Sequence, residues 1–332
     1  MATQITSPRV FRRTDDYTPS TPRVQLLTEA LPALTPPSLL IGVHAATLNY
    51  RDANIVNRGN RGVIAKGENV NSIAVGDKVA PIIDTENITG REPTRSWLAA
   101  DEDGVLADYI VFDECKVCKL PAHLDWVSAS IIPCAGVTAW SSLLGFGMGT
   151  AVLIQGTAGL SMFTLKLARS AGMKVIMTSS SDKKLSQISA QSTDLPLLTL
   201  NYSTHPEWHE EVLKLTDGIG VDLVVEVGGS NSLVKSMKCT RRGGTISQVG
   251  YLSKKDPAHM DEFLDVLIDR RIVLRGINGG SKHGMDDLCT ALAAVQMRLD
   301  DIIDSVEPFE KTDEATEYIW QGKQIGKLVL RL

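Results

Sequence analysis

Residues Gly156-Thr157-Ala158-Gly159-Leu160-Ser161 have the types and spacing to hold a pyrophosphate. They follow a short apolar run and open a segment in which Leu160, Phe163 and Leu167 share one helical face. A dinucleotide needs a sharp strand-to-helix turn, a helix N-terminus aimed at its phosphates, and small side chains so the backbone can approach. Gly156 can make the turn, and Ala158 and Gly159 are small. Ser161 can pack close against the strand and add a hydroxyl near the phosphates. Ala158 and Ser161 stand where two of the three usual glycines belong, so the fingerprint alone fits an ordinary tight turn equally well.

A second group follows about 20 residues on, where a dinucleotide fold reads the adenosine ribose. An NAD site usually places an Asp or Glu there for the 2′-hydroxyl. Here the run is Ser179-Ser180-Ser181, with no acid before Asp182 and with Lys184 close behind. Hydroxyls and an ammonium suit a 2′-phosphate, which predicts NADPH in preference to NADH. The structural alternative is that Ser181 or Asp182 caps the next helix, and one residue can do both.

Other chemistry-bearing groups read as structural. His205 and His209 have helical ligand spacing, but Glu207 sits at the wrong offset for a zinc protease motif. Pro206 suggests a helix start, so an exposed helix face is expected. Cys115-x-x-Cys118 has no second pair, and Cys134 has no base nearby in sequence, so packing is expected. No metal is predicted.

These groups need elements to position them. From about Ala151 the chain alternates strand and helix, which predicts a parallel sheet covered by helices. The strands are AVLIQG, KVIMTS, PLLTLNY, VDLVVEV, GTISQVG and RIVLRGI, apolar enough to be buried on both faces. The first third carries short strand signals such as SLLIGVHAATLNY, GENVNSIAVGDKVAPII and GVLADYIVF, reading as a small, mostly β domain. After Ile277 a helix, a helix and a strand are expected to return to it.

The 332 residues carry a net charge of −5, with 43% hydrophobic and 22% charged residues, as in soluble globular chains. The charge balance argues against nucleic-acid binding, and no run is long and apolar enough for a membrane helix. Five cysteines fit reduced thiols in the cytoplasm better than a disulfide framework.

Taken together, the segments HAATLNYRDANIVNRG, VGDKVAPI, DGVLADYIVF, IIPCAGVTAW, VLIQGTAGLSMFTLKLARSAGMKVIMTSSSDKKL, RRGGTISQVG and GKLVL, with LNYSTHPEWHEEVLKLTDGIGVDLVVEVGG, are collinear. They resemble the medium-chain dehydrogenase/reductase superfamily, in its zinc-independent, quinone oxidoreductase-like branch. The resemblance covers nearly the whole chain. It implies an α/β protein: a Rossmann doubly wound parallel sheet over residues 133–276, plus a GroES-like β-barrel domain built from 1–132 and 277–332. Cofactor and small-molecule substrate would lie in the cleft between them.

Carried over by position, Thr138 would approach the nicotinamide end, and Gly156 through Ser161 would cradle the pyrophosphate. Ser179, Ser180, Lys184 and Tyr202 would surround the adenosine phosphate. Val227, Gly228 and Gly250 would line the path to the nicotinamide. Asn49 and Tyr50 occupy the substrate-facing motif, with Tyr50 the expected proton donor; packing at the domain interface is the alternative for Tyr50. Zinc-dependent relatives carry Cys and His at this motif and a later His-Glu pair, all absent here, so no zinc is expected. A homodimer through Rossmann edge strands, with RIVLRGI as the edge, is implied.

Two departures stand out. IVNRGNRGVIAKGENV jumps between motifs that the family separates by about 20 more residues, so the barrel reads as truncated. GFGMGTAVLIQG lacks the usual Lys-Pro-Gly-Asp turn. The resemblance therefore implies an NADPH-dependent reductase of an activated C=C or C=O. A non-redox isomerase, cyclase or binding protein on the same scaffold stays open.

Overall fold

The computed structural model describes residues 8–14, 24–31, 33–49, 58–191, 196–251 and 260–332. The chain divides into two compact units, residues 1–137 with 280–332 and residues 138–279. These divisions stand beside the 132/133 and 276/277 expected from the sequence.

In the first unit, β1 (Arg9–Arg13) and β2 (Val24–Thr28) form an antiparallel pair. The ten-residue β3 (Ser38–Thr47) is antiparallel to both β4 (Arg58–Lys66) and β6 (Tyr109–Asp113). Next, β5 (Lys78–Pro81) joins β4 to β7 (Val117–Lys119). Ile41 faces Val63 across the β3–β4 pair, and both sink into a core with Leu39, Val70, Ile73, Val79 and Val117. The stretch around Val70–Val75 forms turns rather than a strand. There the Glu114 carboxylate accepts the N–H groups of Asn71 and Ile73 at 3.1 and 3.2 Å, so a side chain replaces a strand partner. The short α1 (Trp126–Ala129) is capped by Asp125, which accepts the Ser128 N–H at 2.7 Å.

Helix α2 (Val137–Leu143) leads into the second unit. Six parallel strands follow: β8 (Ala151–Gln155), β9 (Lys174–Ser179), β10 (Leu197–Asn201), β11 (Val221–Glu226), β12 (Thr240–Gln248) and β13 (Val273–Gly276). Each matches one of the six apolar runs. Their order is β10-β9-β8-β11-β12-β13, a doubly wound sheet whose strand order reverses between β8 and β11. The helices between them are α3 (Gly159–Ser170), α4 (Asp182–Ala190), α5 (Trp208–Leu215), α6 (Ser230–Cys239) and α7 (Phe263–Asp269). In α3, Phe163 and Leu167 are buried as their spacing predicts, while Leu160 is only half-buried. Gly172, at φ +71°, ends that helix in a left-handed turn closed by Met173 N–H to Ala168 at 2.9 Å.

The chain then supplies α8 (Lys282–Ala294), β14 (Ile303–Pro308), α9 (Thr312–Trp320) and β15 (Lys327–Arg331) to the first unit. β15 lies parallel to β14 and antiparallel to β3. Among the described residues this completes a seven-stranded sheet in the order β14-β15-β3-β4-β5-β7, with β6 beside β3. Leu328 and Leu330 pack there with Ala46, Leu48, Phe309 and Ile319.

Asp222 ties three strands of the parallel sheet together. Its carboxylate accepts the Ala151 N–H at 2.8 Å and the Arg241 guanidinium at 2.5 Å. Burial raises its pKa, but the Arg241 and Ala151 donors outweigh that and hold it below the ordinary carboxylate value. The stability it contributes is therefore present above the unfolded pKa of about 3.9 and is lost as pH falls through the lower, folded one. Asp222→Asn should flatten the acid limb of stability measured by urea midpoint between roughly pH 2 and 5. An equally steep limb in wild type and variant would remove Asp222 from the acid response.

Candidate cofactor site

The turn after β8 has the backbone that the sequence asks of it. Gly156 sits at φ +77°, where a side chain would strain the chain, and its N–H reaches Thr178 at 2.8 Å. Ala158 is the N-cap of α3 in extended conformation (φ −82°, ψ −179°) and, being alanine, makes no side-chain cap. The first N–H groups of α3, from Gly159, Leu160 and Ser161, thus end in a helix terminus that a bound phosphate can cap. Gly159 and Thr157 are buried and Ala158 is exposed at the mouth of the turn. Ser161 departs from expectation in one respect. Its hydroxyl donates to the Gln155 carbonyl at 2.6 Å, and a β-carbon on Gly156 would lie 3.6 Å from the Ser161 hydroxyl oxygen. Ser161 therefore braces the turn from inside, and its hydroxyl is spent there rather than on the phosphates.

At the far end of β9 the structure places Ser179, Ser180, Lys184 and Tyr202 around one strand terminus. Ser179 ends β9, its hydroxyl accepting the Ser181 N–H at 3.2 Å, and its carbonyl accepts the Tyr202 N–H at 3.1 Å. Ser180 and Tyr202 are exposed. Ser181 caps α4, accepting the Lys184 N–H at 3.3 Å, so the capping alternative holds for Ser181. Asp182 is the first residue of α4 and exposed; no carboxylate ends β9.

Around β11 and β12 lies a group that sequence reasoning missed. Glu226, the last residue of β11, is 0% exposed. Its Oε1 accepts the N–H of Gly228 (2.8 Å), the N–H of Gly229 (3.1 Å) and the Ser232 hydroxyl (2.5 Å). Its Oε2 accepts Gln155 Nε2 (2.6 Å) and the Ser236 hydroxyl. Gln155, the last residue of β8, accepts the Val227 and Gly228 N–H groups with Oε1 at 3.1 and 3.3 Å. The main-chain oxygen of Glu226 takes the Val249 and Gly250 N–H groups at 2.8 and 3.2 Å. The available signal was an acid inside an otherwise apolar strand, VDLVVEV. The neighbouring Gln248 keeps Oε1 buried with no partner among the described residues, while its Nε2 donates to the Gly250 carbonyl.

Thr138 lies buried on α2. Its carbonyl accepts the Ser142 hydroxyl at 2.7 Å, and the Ser142 carbonyl accepts the hydroxyl of Ser247 on β12 at 2.8 Å. In the first unit, Asn49 follows β3 and its Oδ1 accepts a bond from Lys327 Nζ, which also reaches the Leu48 carbonyl at 3.1 Å. An ammonium only donates, so this bond fixes which end of the Asn49 amide faces it. Tyr50 lies outside the described residues, as do residues 55–57 of the segment where the barrel reads as shortened; the rest of that segment, 58–70, contains β4.

The histidine expectation needs correcting. α5 begins at Trp208, two residues after Pro206; His205 is exposed as expected, but His209 is buried against the Trp208 ring edge. Burial lowers its pKa. Of the CxxC pair, Cys115 is exposed and Cys118 buried, and Cys134 is half-buried rather than fully packed. Among the described residues no group of three or more His, Cys, Asp or Glu could hold a metal ion.

A strand order that reverses over an uncapped helix N-terminus, with a glycine turn before it, defines a dinucleotide-binding Rossmann protein. A family model described as zinc-binding dehydrogenase matches residues 159–295. A zinc-type alcohol dehydrogenase-like protein of Schizosaccharomyces pombe is 32% identical over 324 residues, covering 90% of this chain and 92% of that protein. The crystal structure of an NAD-dependent alcohol dehydrogenase is 25% identical, with TM-score 0.85, covering 98% of this chain and 99% of that one. A 2-octenoyl-CoA carboxylase reductase solved with NADP and 2-octenoyl-CoA shares the fold at TM-score 0.77 and 20% identity, covering 93% of this chain and 82% of that one. The chain belongs to the medium-chain dehydrogenase/reductase superfamily. It is an NAD(P)-dependent oxidoreductase of that superfamily.

If a phosphate is the natural cap of α3, a carboxylate at Ala158 should compete with it. Ala158→Asp should raise stability by about 0.5–2 kcal/mol through the new cap. The same change should weaken dinucleotide binding by tenfold or more, on the order of 1.4 kcal/mol. Thermal melts and cofactor titration read the two effects, and a stabilised variant with unweakened binding would remove the phosphate from this helix.

Proposed function

We propose that the protein is a zinc-free, NADPH-dependent reductase of an activated C=C or C=O in a small molecule such as a quinone, enone or enoyl thioester. The observation that carries this reading is the end of β9. Ser179, Ser180 and Ser181 stand where an NAD site needs an acid, with Lys184 and Tyr202 beside them. The hydroxyls and the ammonium supply donors to a 2′-phosphate, while no carboxylate ends β9 to grip a 2′-hydroxyl. The enoyl-type acceptor is further supported by the shared fold of the NADP-bound carboxylase reductase. Against a zinc-dependent mechanism stands the side-chain chemistry of Asn49-Tyr50-Arg51, none of it Cys or His.

A nicotinamide cofactor bound at the turn after β8 would supply the hydride chemistry. The chain's own contribution begins with binding. The α3 terminus would hold the pyrophosphate, Val227, Gly228 and Gly250 would line the path to the nicotinamide, and Thr138 would approach it. Negative charge then grows on the acceptor's oxygen. Tyr50 donates a hydrogen bond to it, its free phenol pKa of about 10 keeping the proton in place at neutral pH. Asn49 helps, its amide oriented by Lys327. The five free cysteines support a cytoplasmic setting.

We also propose a homodimer through β13. It is the edge of the parallel sheet, with Val273 and Leu274 exposed and Leu264 and Ile268 on α7 exposed as well. Val273→Lys should convert a dimer to monomer in sedimentation velocity, and a monomeric wild type would end this part of the reading.

The leading test is a fluorescence titration with NADPH and, separately, NADH, followed by turnover of a quinone, an enone and an enoyl thioester. NADPH should bind at least tenfold tighter, about 1.4 kcal/mol, and be consumed in stoichiometry with reduced product. Tyr50→Phe should lower kcat by roughly 100-fold with unchanged NADPH affinity. Tighter NADH binding would overturn the 2′-phosphate reading, and unchanged turnover in the Phe variant would remove Tyr50 as donor.

A further inference from the structure

Glu226 is a carboxylate taken wholly out of water, and among the described residues the donors that reach it are neutral amides and hydroxyls. Burying a charge this way costs stability unless nearly every lone pair is met. The donors it gathers are not scattered through the core. The Gly228 and Gly229 N–H groups belong to the loop that ends β11, Ser232 and Ser236 to α6, and Gln155 to the end of β8. Through its main-chain oxygen Glu226 also fixes Val249 and Gly250, the loop that ends β12.

The two loops are in contact at minimum separation. A β-carbon on Gly250 would lie 2.6 Å from the Val227 carbonyl oxygen, and one on Gly228 would lie 2.2 Å from the Ser232 hydroxyl and 3.2 Å from Glu226 Oε1. With so little slack, a displacement of residues 227–229 is transmitted to Gly250. Gln155 shares the task. One amide donates to the Glu226 carboxylate through Nε2 and accepts the Val227 and Gly228 N–H groups through Oε1.

We propose that Glu226, with Gln155 as its partner, is the positioning residue for the nicotinamide end of the cofactor. It would set residues 227–229 and 250 at the distance the ring needs, without itself touching the ring. The inference rests on the reading that Val227, Gly228 and Gly250 line the nicotinamide path.

The pair's geometry offers a test that a merely structural role would fail. Glu226 and Gln155 meet head to head, and Ser236 lies against both, its hydroxyl accepting Gln155 Nε2 at 2.9 Å while donating to Glu226. Exchanging the two side chains keeps one carboxylate, one amide and every partner. In Glu226→Gln with Gln155→Glu, the new Gln Oε1 still accepts Gly228, Gly229 and Ser232. The new Glu accepts Val227 and Gly228 and takes the amide and Ser236 on its other oxygen. Either single change breaks the pairing, leaving two amides or two carboxylates face to face.

The experiment is calorimetric titration of wild type, both single variants and the exchange variant with NADPH and with 2′,5′-ADP, which lacks the nicotinamide. Thermal melts of the cofactor-free proteins run alongside. Each single variant should lose at least about tenfold in NADPH affinity, bind 2′,5′-ADP within about twofold of wild type, and be restored by the exchange. Parallel loss of both ligands, unchanged NADPH affinity in the singles, or an exchange variant that fails to fold or to recover would each overturn the proposal. A wild type that binds NADH and not NADPH would refute the cofactor preference instead. The positioning test would then run unchanged with NADH against ADP-ribose.

Discussion

A carboxylate without water must find its hydrogen-bond donors inside the protein, and the second unit is arranged around that demand. Glu226 and Gln155 end the two strands between which the strand order reverses. Such a reversal sends the helices of the two half-sheets to opposite faces and leaves a crevice at the strand ends. Neighbouring apolar side chains could fill its floor, but they would leave the N–H groups of Val227, Gly228 and Gly229 to find partners elsewhere. An acid and an amide satisfy those groups and join both half-sheets at the same point. The polarity of the floor is thus a product of topology as much as of ligand chemistry.

The two ends of the same crevice are built on opposite principles. At the ends of β8 and β11 the protein supplies its own acid, Glu226, fully enclosed and held by five donors. At the turn into α3 it supplies only donors, with alanine where helices usually place a capping oxygen. One end is complete without a ligand and therefore rigid. The other is incomplete by design of the residue type, and an incoming anion finishes a helix that the chain left open. Ser161 fits this division, since its hydroxyl closes the turn from within and leaves the helix terminus to the ligand.

The fold was largely legible because its signals are periodic. Each of the six apolar runs from Ala151 to Ile277 became a strand of the parallel sheet; β8, β9 and β11 are buried nearly throughout, as unbroken apolar segments predict, while β10 is partly buried and the edge strand β13 largely exposed. The stretch Val70–Val75 was misleading for the converse reason: Val70 and Ile73 are buried by turns that Glu114 stabilises, and apolar residues alone do not distinguish the two. His209 was misread because a proline two residues before a tryptophan suggested an earlier helix start than the chain takes. The turn at Gly156 and the serines after β9 could be found by residue type. Glu226 could not be assigned its partners, because a single acid in an apolar run says that something must meet it, but not what. Gln155, 71 positions away, does so only through the strand order. Lys327 and Asn49, 278 positions apart, show the same limit.

That long separation has a bearing on how the molecule is made. β3 is paired on one side by β4, but on the other by β6 over Ser38–Gly42 and by β15 over Ala45–Thr47, and β15 follows the whole parallel-sheet unit in the chain. All of residues 138–279 emerges before β14 or β15 exists. The parallel sheet therefore has every strand it needs while β3 still presents an open edge over Ala45–Thr47, and chains generally fold such complete units as they appear. An unpaired edge in a nascent chain is a template for unwanted pairing, so the late strand closes a vulnerability as well as a sheet. The unit whose sequence comes first is thus completed only after every strand of the parallel sheet has been synthesised.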